Sequence, residues 1–93
     1  MNRSDILDAA KQCVTKDRNA IYGPPEQSFA QIAAILSVRL GVLIRADQVA
    51  IMLIDLKTVR AWGNPNHVDS WVDLAGYAAC GGEIGTEAVN GQG

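Results

Sequence analysis

Three short constellations in this chain carry side chains able to do chemistry: Asp17-Arg18 followed by Tyr22-Gly23, then Lys57 with Arg60, then His67 with Asp69, Asp73 and Tyr77. An arginine can grip a phosphate through two parallel hydrogen bonds, and a tyrosine ring can lie against a base or a sugar. Arg18 and Tyr22 bring both types to one short segment, and Tyr77 offers a second ring. Arg18 and Tyr22 serve equally well as struts of a stiff loop, because Gly23-Pro24-Pro25 follows. Asp17 stands next to Arg18, where it can orient the guanidinium.

Lys57 and Arg60 belong to a largely apolar stretch. At ~100° per residue, Arg60 continues the stripe Val49, Leu53, Leu56, and Lys57 lies about 60° away beside Ala50. Both cations therefore leave the core-facing half of a helix. Long basic side chains near a helix end can snorkel to water and favour the negative end of the helix dipole. The sharper reading is a cationic hollow for a phosphate or a carboxylate.

Asp69 and Asp73 are four apart and share a helix face, which Gly76 and Cys80 continue. A solvated face explains them. So does an internal ion-pair network with Lys57 and Arg60, and so would a shared Mg²⁺. His67 opens the same helix, where the dipole disfavours an imidazolium, so it suits a cap, a packing residue or a neutral hydrogen-bond donor.

These side chains need elements to position them. Ser4 is placed to cap a first helix that fades near Asp17, with Ile6, Leu7, Ala10, Cys13 and Val14 on one side. Asn19 to Pro24 reads as a loop. Pro25 suits a helix start, and a second helix over Pro25 to Leu40 carries the stripe Phe29, Ile32, Ala33, Leu36, Leu40. Gly41 should end it in left-handed geometry. Val42-Leu43-Ile44 reads as a packed connector. A third helix from Ala46 to Trp62 has a poor cap in Arg45 and a wide apolar arc, which makes it the central helix. Gly63 and Pro65 stop it. A fourth helix from His67 to Glu83 should bury Val68, Trp71, Ala75, Ala78 and Ala79, and Gly81-Gly82 weakens its end.

The expected architecture is all-α: a compact four-helix domain over residues 1–85, then a flexible C-terminal tail over 86–93. Ile35, Val38 and Ile51 fall outside the main stripes, which points to a homo-oligomer. A net charge of −2 without a Lys/Arg run argues against an extended nucleic-acid surface. No apolar run reaches the ~18 residues of a membrane span. Cys13 and Cys80 lie far apart in apolar stretches and read as buried free thiols of a cytoplasmic protein. A single histidine and no CxxC pair leave no basis for a zinc site.

The order Asp17-Arg18, Tyr22-Gly23, Phe29, Ile32-Ala33, Asp47-Gln48-Val49-Ala50, Leu56-Lys57, Arg60, Asn64-Pro65, His67, Asp69-Ser70, Asp73-Leu74-Ala75-Gly76-Tyr77-Ala78 resembles a family of small phage and prophage proteins of the DUF6378 type, of unassigned function. The match covers roughly residues 13 to 84. It implies a phage or prophage origin and the cytoplasm of a bacterial host. A looser resemblance is to all-helical nucleotide pyrophosphohydrolases of the MazG type, which pair carboxylate-bearing helices around Mg²⁺. That resemblance implies Asp69 and Asp73 as metal ligands. The Glu-x-x-Glu element of that type is missing: the second helix offers Glu26 alone, and Asp47 and Asp55 occupy the outer arc of the third.

The expected function is therefore that of a phage accessory protein that binds a nucleotide or other phosphorylated small molecule, as in sequestering a host signalling nucleotide. Arg18, Tyr22, Lys57, Arg60, His67 and Tyr77 would meet the ligand. Asp17, Asp69 and Asp73 would hold the cations in place, with no catalytic residue, cofactor or metal. One alternative is a reduced Mg²⁺-dependent nucleotide pyrophosphohydrolase. The other is a structural or protein-interaction module with a buried ion-pair network.

Overall fold

The computed structural model describes residues 1–17 and 24–92, with side chains at 1–16 and 24–87. Arg18, Tyr22 and the Asp17 side chain lie outside the described residues. Among the described residues four α-helices follow in order: α1 (Arg3–Gln12), α2 (Pro25–Leu40), α3 (Ala46–Gly63) and α4 (Val68–Gln92). A π-helical turn, Cys13–Asp17, extends α1. No strand occurs among the described residues, so the fold is all-α as expected.

The cap of α1 is Asn2 and not Ser4. Asp5 N–H donates to Asn2 Oδ1 at 2.8 Å, and Asn2 N–H donates to Asp5 Oδ2 at 3.2 Å. A capping box needs an acceptor side chain three residues on. Asn2 finds that partner in Asp5, whereas Ser4 would find Leu7.

Helix α2 begins and ends where its residues predict. Pro25 takes the first position, and Gly41 closes the helix at φ 69°, donating its N–H to Ser37 O at 3.0 Å. Ser37 pins the following connector at Ile44. Ser37 Oγ donates to Ala33 O at 2.7 Å and accepts from Ile44 N–H at 2.8 Å. Ile44 packs against the core, while Val42 and Leu43 stay exposed. Ser37→Ala removes the acceptor for a part-buried N–H, and should lower the urea midpoint by the equivalent of about 1 kcal/mol.

Arg45 precedes α3 in extended geometry and has no side-chain acceptor with which to cap it. Gln48 Oε1 instead accepts from Arg45 N–H at 2.9 Å. The Arg45 guanidinium turns to Asp47, with contacts of 3.1 and 3.3 Å, and holds that carboxyl below the usual carboxylate range. The helix does not end on a left-handed Gly63. Gly63 is still helical, and Asn64 closes α3 at φ −146° just before Pro65.

Helix α4 passes through Gly81-Gly82 and continues over the 86–92 backbone, where the sequence suggested a flexible tail. The physical reason is close packing. A Cβ on Gly81 would stand 2.7 Å from Ala50 Cβ, and one on Gly85 would stand 3.6 Å from Asp47 Cβ. The contact between α3 and α4 at these positions offsets the ~1 kcal/mol propensity cost of each glycine. Helix α4 also replaces α3 as the centre of the fold, since it touches α1, α2, α3 and the π-helical turn.

The core centres on Phe29, Ala33, Val49, Ala50 and Cys80. It uses a face of α4 other than the one its apolar residues suggest. Ser70, Val72, Gly76 and Cys80 are buried, whereas Val68, Trp71, Ala78 and Ala79 are exposed. On α3 the inward residues are Val49, Ala50 and Ala61, with Leu53 and Lys57 half-buried, while Met52, Leu56 and Val59 face outward.

Candidate functional site

Rotating α4 onto its small residues turns Asp73 and Tyr77 towards the interior. Lys57 shares the inward side of α3 with Ala50 and Ala61, each about two turns or one turn away along the helix. The two helices therefore bring Lys57 against Asp73, with Nζ 2.8 Å from Oδ2. Their side chains are only 14 % and 13 % exposed. Lys57 thus ends on a carboxylate instead of snorkelling to bulk water. It is the one ion pair that joins two helices among the described residues.

One turn along α4, the Tyr77 ring meets Phe29 of α2, with centroids 6.2 Å apart and planes tilted by 51°. This edge-biased arrangement suits the aromatic quadrupoles. One turn the other way, Ser70 is buried, only 2 % exposed. Across from Asp73, Val14 of the π-helical turn lies 3.1 Å from where a Cβ on Gly76 would stand. Cys13, Val14, Val72, Asp73, Gly76 and Tyr77 enclose a narrow cleft of about 10 Å³, room for about one water. Both described flanks of segment 18–23 therefore reach this part of α4: Val14 before it, and Phe29 after it.

The remaining expected site residues are spread more widely. Arg60 lies one turn beyond Lys57 and is exposed. Asp69 is exposed too, so the i, i+4 carboxylates do not act as a pair: one faces solvent and the other meets Lys57. Of the alternative network of Asp69 and Asp73 with Lys57 and Arg60, the described residues form the Lys57–Asp73 pair. His67 is exposed in the turn before α4, where its N–H donates to Asn64 O at 3.1 Å and its carbonyl accepts from Ser70 N–H at 3.2 Å. It serves as a turn residue there. Among the described residues no group of three or more His, Cys, Asp or Glu side chains gathers to hold a metal ion.

A larger open groove of about 540 Å³ lies at the α3–α4 turn, lined by Thr58, Ala61, Trp62, Pro65, Trp71 and Leu74. No titratable side chain lines it, and the Trp71 Nε1–H already donates to Pro65 O at 2.9 Å. It offers apolar contact and little chemistry.

Sequence reasoning singled out Lys57, Asp73 and Tyr77 and placed Cys80 on the Asp73 face, but gave Ser70 no part in the site. A signal was present: Ser70, Asp73, Tyr77, Cys80 and Ile84 recur at spacings of three and four, as one helix stripe does. Their mixed polarity hid them beside a more apolar stripe.

The model of a family described as a domain of unknown function, DUF6378, matches residues 5–85 of this chain. The chain belongs to the DUF6378 family. It is similar to the Gene 55 protein of Mycobacterium phage D29, with 38 % identity over 87 residues that cover 94 % of this chain and 58 % of the relative. It is also similar to the Gene 55 protein of Mycobacterium phage L5, with 35 % identity over 74 residues that cover 78 % of this chain and 47 % of the relative. This DUF6378 chain thus spans about half the length of the curated relatives it matches, and its relatives are phage proteins. No solved structure matches it. Among the described residues no helix is long and apolar enough to cross a membrane.

Proposed function

We propose that this chain binds a phosphorylated small molecule of the nucleotide class where the end of α1, the start of α2, and α3 and α4 meet. One observation carries the reading. A largely sheltered Lys57–Asp73 pair stands at the place where both described flanks of the Arg18–Tyr22 segment arrive. An ion pair in such a place adds little stability over a well-packed apolar pair, so stability is a weak reason to keep it. An arriving phosphate would share the Lys57 ammonium with Asp73, and a low local dielectric would strengthen that attraction. Arg18 would supply a bidentate grip and Tyr22 or Tyr77 a stacking surface. Arg60 and His67, both exposed, would act at the rim. Asp17 would orient Arg18, and Asp69 would stay at the margin. A phage protein with such a site would hold a host nucleotide without consuming it.

Hydrolysis has less support. A Mg²⁺-dependent pyrophosphohydrolase would need Asp69 and Asp73 to share one cation, yet Asp69 faces solvent and Asp73 is engaged by Lys57. The test is calorimetry against nucleoside mono-, di- and triphosphates and cyclic dinucleotides, with Mg²⁺ present. Heat of binding is expected with at least one of them, and Arg18→Ala should weaken that affinity about tenfold or more, as loss of a charge-assisted hydrogen bond does. Silence across the whole set would end the ligand reading. Steady pyrophosphate release that Asp73→Asn abolishes would move the assignment to hydrolysis.

A further inference from the structure

The outward face of α3 carries apolar side chains at helical spacing that the rest of the described chain leaves exposed. Met52, Leu56 and Val59 follow one another at intervals of four and three, and all three are exposed, Val59 to 71 %. Trp62 flanks them at 90 % exposure. Together they present on the order of 500 Å² of apolar surface, the upper end of what a monomer's largest patch reaches. Such a seam is what one helix offers to a second helix of the same kind.

The charges beside the seam specify the partner. Asp55 borders it on one side and Arg60 on the other, five residues later, and both are exposed. When two copies of a helix run parallel about a twofold axis, the residue bordering the seam on one side meets the residue five positions on, on the other side of its partner. Parallel pairing therefore sets Asp55 against Arg60 of the second copy, twice. Antiparallel pairing brings like-sided borders together, so that Asp55 faces Asp55 and Arg60 faces Arg60.

We infer that the outer face of α3 docks a second copy of this chain, with the two α3 helices parallel, Met52, Leu56 and Val59 along the twofold axis and Asp55 paired with Arg60 across it. A standard interface covers roughly 800 Å² per partner, and the seam supplies its apolar centre. Trp62 lies at the edge of the same face and becomes partly covered.

Sedimentation velocity over the micromolar range, read together with tryptophan emission, tests this. A concentration-dependent dimer is expected, with emission shifting to the blue as it forms. Val59→Glu should leave helical circular dichroism unchanged, since Val59 makes little contact within its own protomer, and should give a monomer. Asp55→Arg and Arg60→Asp should each raise the dissociation constant about tenfold or more by creating like-charge pairs. The double variant Asp55→Arg/Arg60→Asp should restore dimers, since the pairs re-form with their signs exchanged. A wild-type monomer at every concentration overturns the inference, as does a Val59→Glu protein that still dimerises. A double variant no better than the single ones overturns the parallel arrangement.

Discussion

Asp73→Leu should lower the unfolding free energy by about 3 kcal/mol, and adding Lys57→Met should return most of that loss. The single change leaves the Lys57 ammonium sheltered between α3 and α4 without its carboxylate, 2.8 Å away in the native protein. Breaking a buried pair from one side costs roughly 3–5 kcal/mol, and the remaining exposure of these side chains places the effect near the lower bound. Replacing both partners removes the charge along with its partner, which is often close to neutral. Urea unfolding of the two single variants and the double variant gives the coupling directly. Additive losses would mean that the pair holds nothing in register. The double variant also separates the roles of the pair. If it folds but no longer gains thermal stability from a ligand that stabilises the wild type, the ammonium serves the ligand and not the fold.

Gly81→Ala should destabilise the protein by about 2 kcal/mol, although alanine is the better helix former by roughly 1 kcal/mol. The new Cβ would stand 2.7 Å from Ala50 Cβ, and Ala50 is 0 % exposed, so neither helix can yield without losing packing elsewhere. Gly82→Ala one residue on is the control. Nothing lies within 4 Å of its Cβ position, so the same change should stabilise by about 0.5–1 kcal/mol. Denaturant midpoints moving in opposite directions for these adjacent glycines would establish where α3 and α4 touch most closely. Ala50→Gly combined with Gly81→Ala should recover part of the loss, because it removes the atom that the new methyl meets.

The adjacent glycines also show why the candidate site was only partly legible. Read locally, Gly81-Gly82 is a weak helix end, and the residues after it look like a tail. In the folded chain Gly81 permits an approach that a larger residue would block, and the helix runs on to Gln92. Asp73 and Tyr77 are visible as polar members of a helix, but the sequence leaves their stripe open between a solvated face, a network with Lys57 and Arg60, and a shared Mg²⁺, because the neighbouring positions Val68, Trp71, Ala78 and Ala79 are more apolar. The compact residues Ser70, Gly76 and Cys80 on the Asp73 side allow a closer fit, and that side became the interior. Arg60 shows the opposite outcome. It continues the Val49–Leu53–Leu56 stripe, yet that stripe turns outward at Leu56, and Arg60 with it.

Local rules account for the helical class, for α2 from Pro25 to the left-handed Gly41, and for three helix limits near Ala46, Gly63 and Val68. Those limits depend on prolines, on a glycine with positive φ and on backbone hydrogen bonds only a few residues apart, all of which a linear chain displays. Which sides of α3 and α4 meet could not follow from such rules. Periodicity counts apolar side chains, whereas burial also depends on how closely two backbones can approach, and that distance is set jointly by residues far apart in the chain: Ala50 with Gly81, Val14 with Gly76. Lys57 acquired Asp73 as its partner only through that fit.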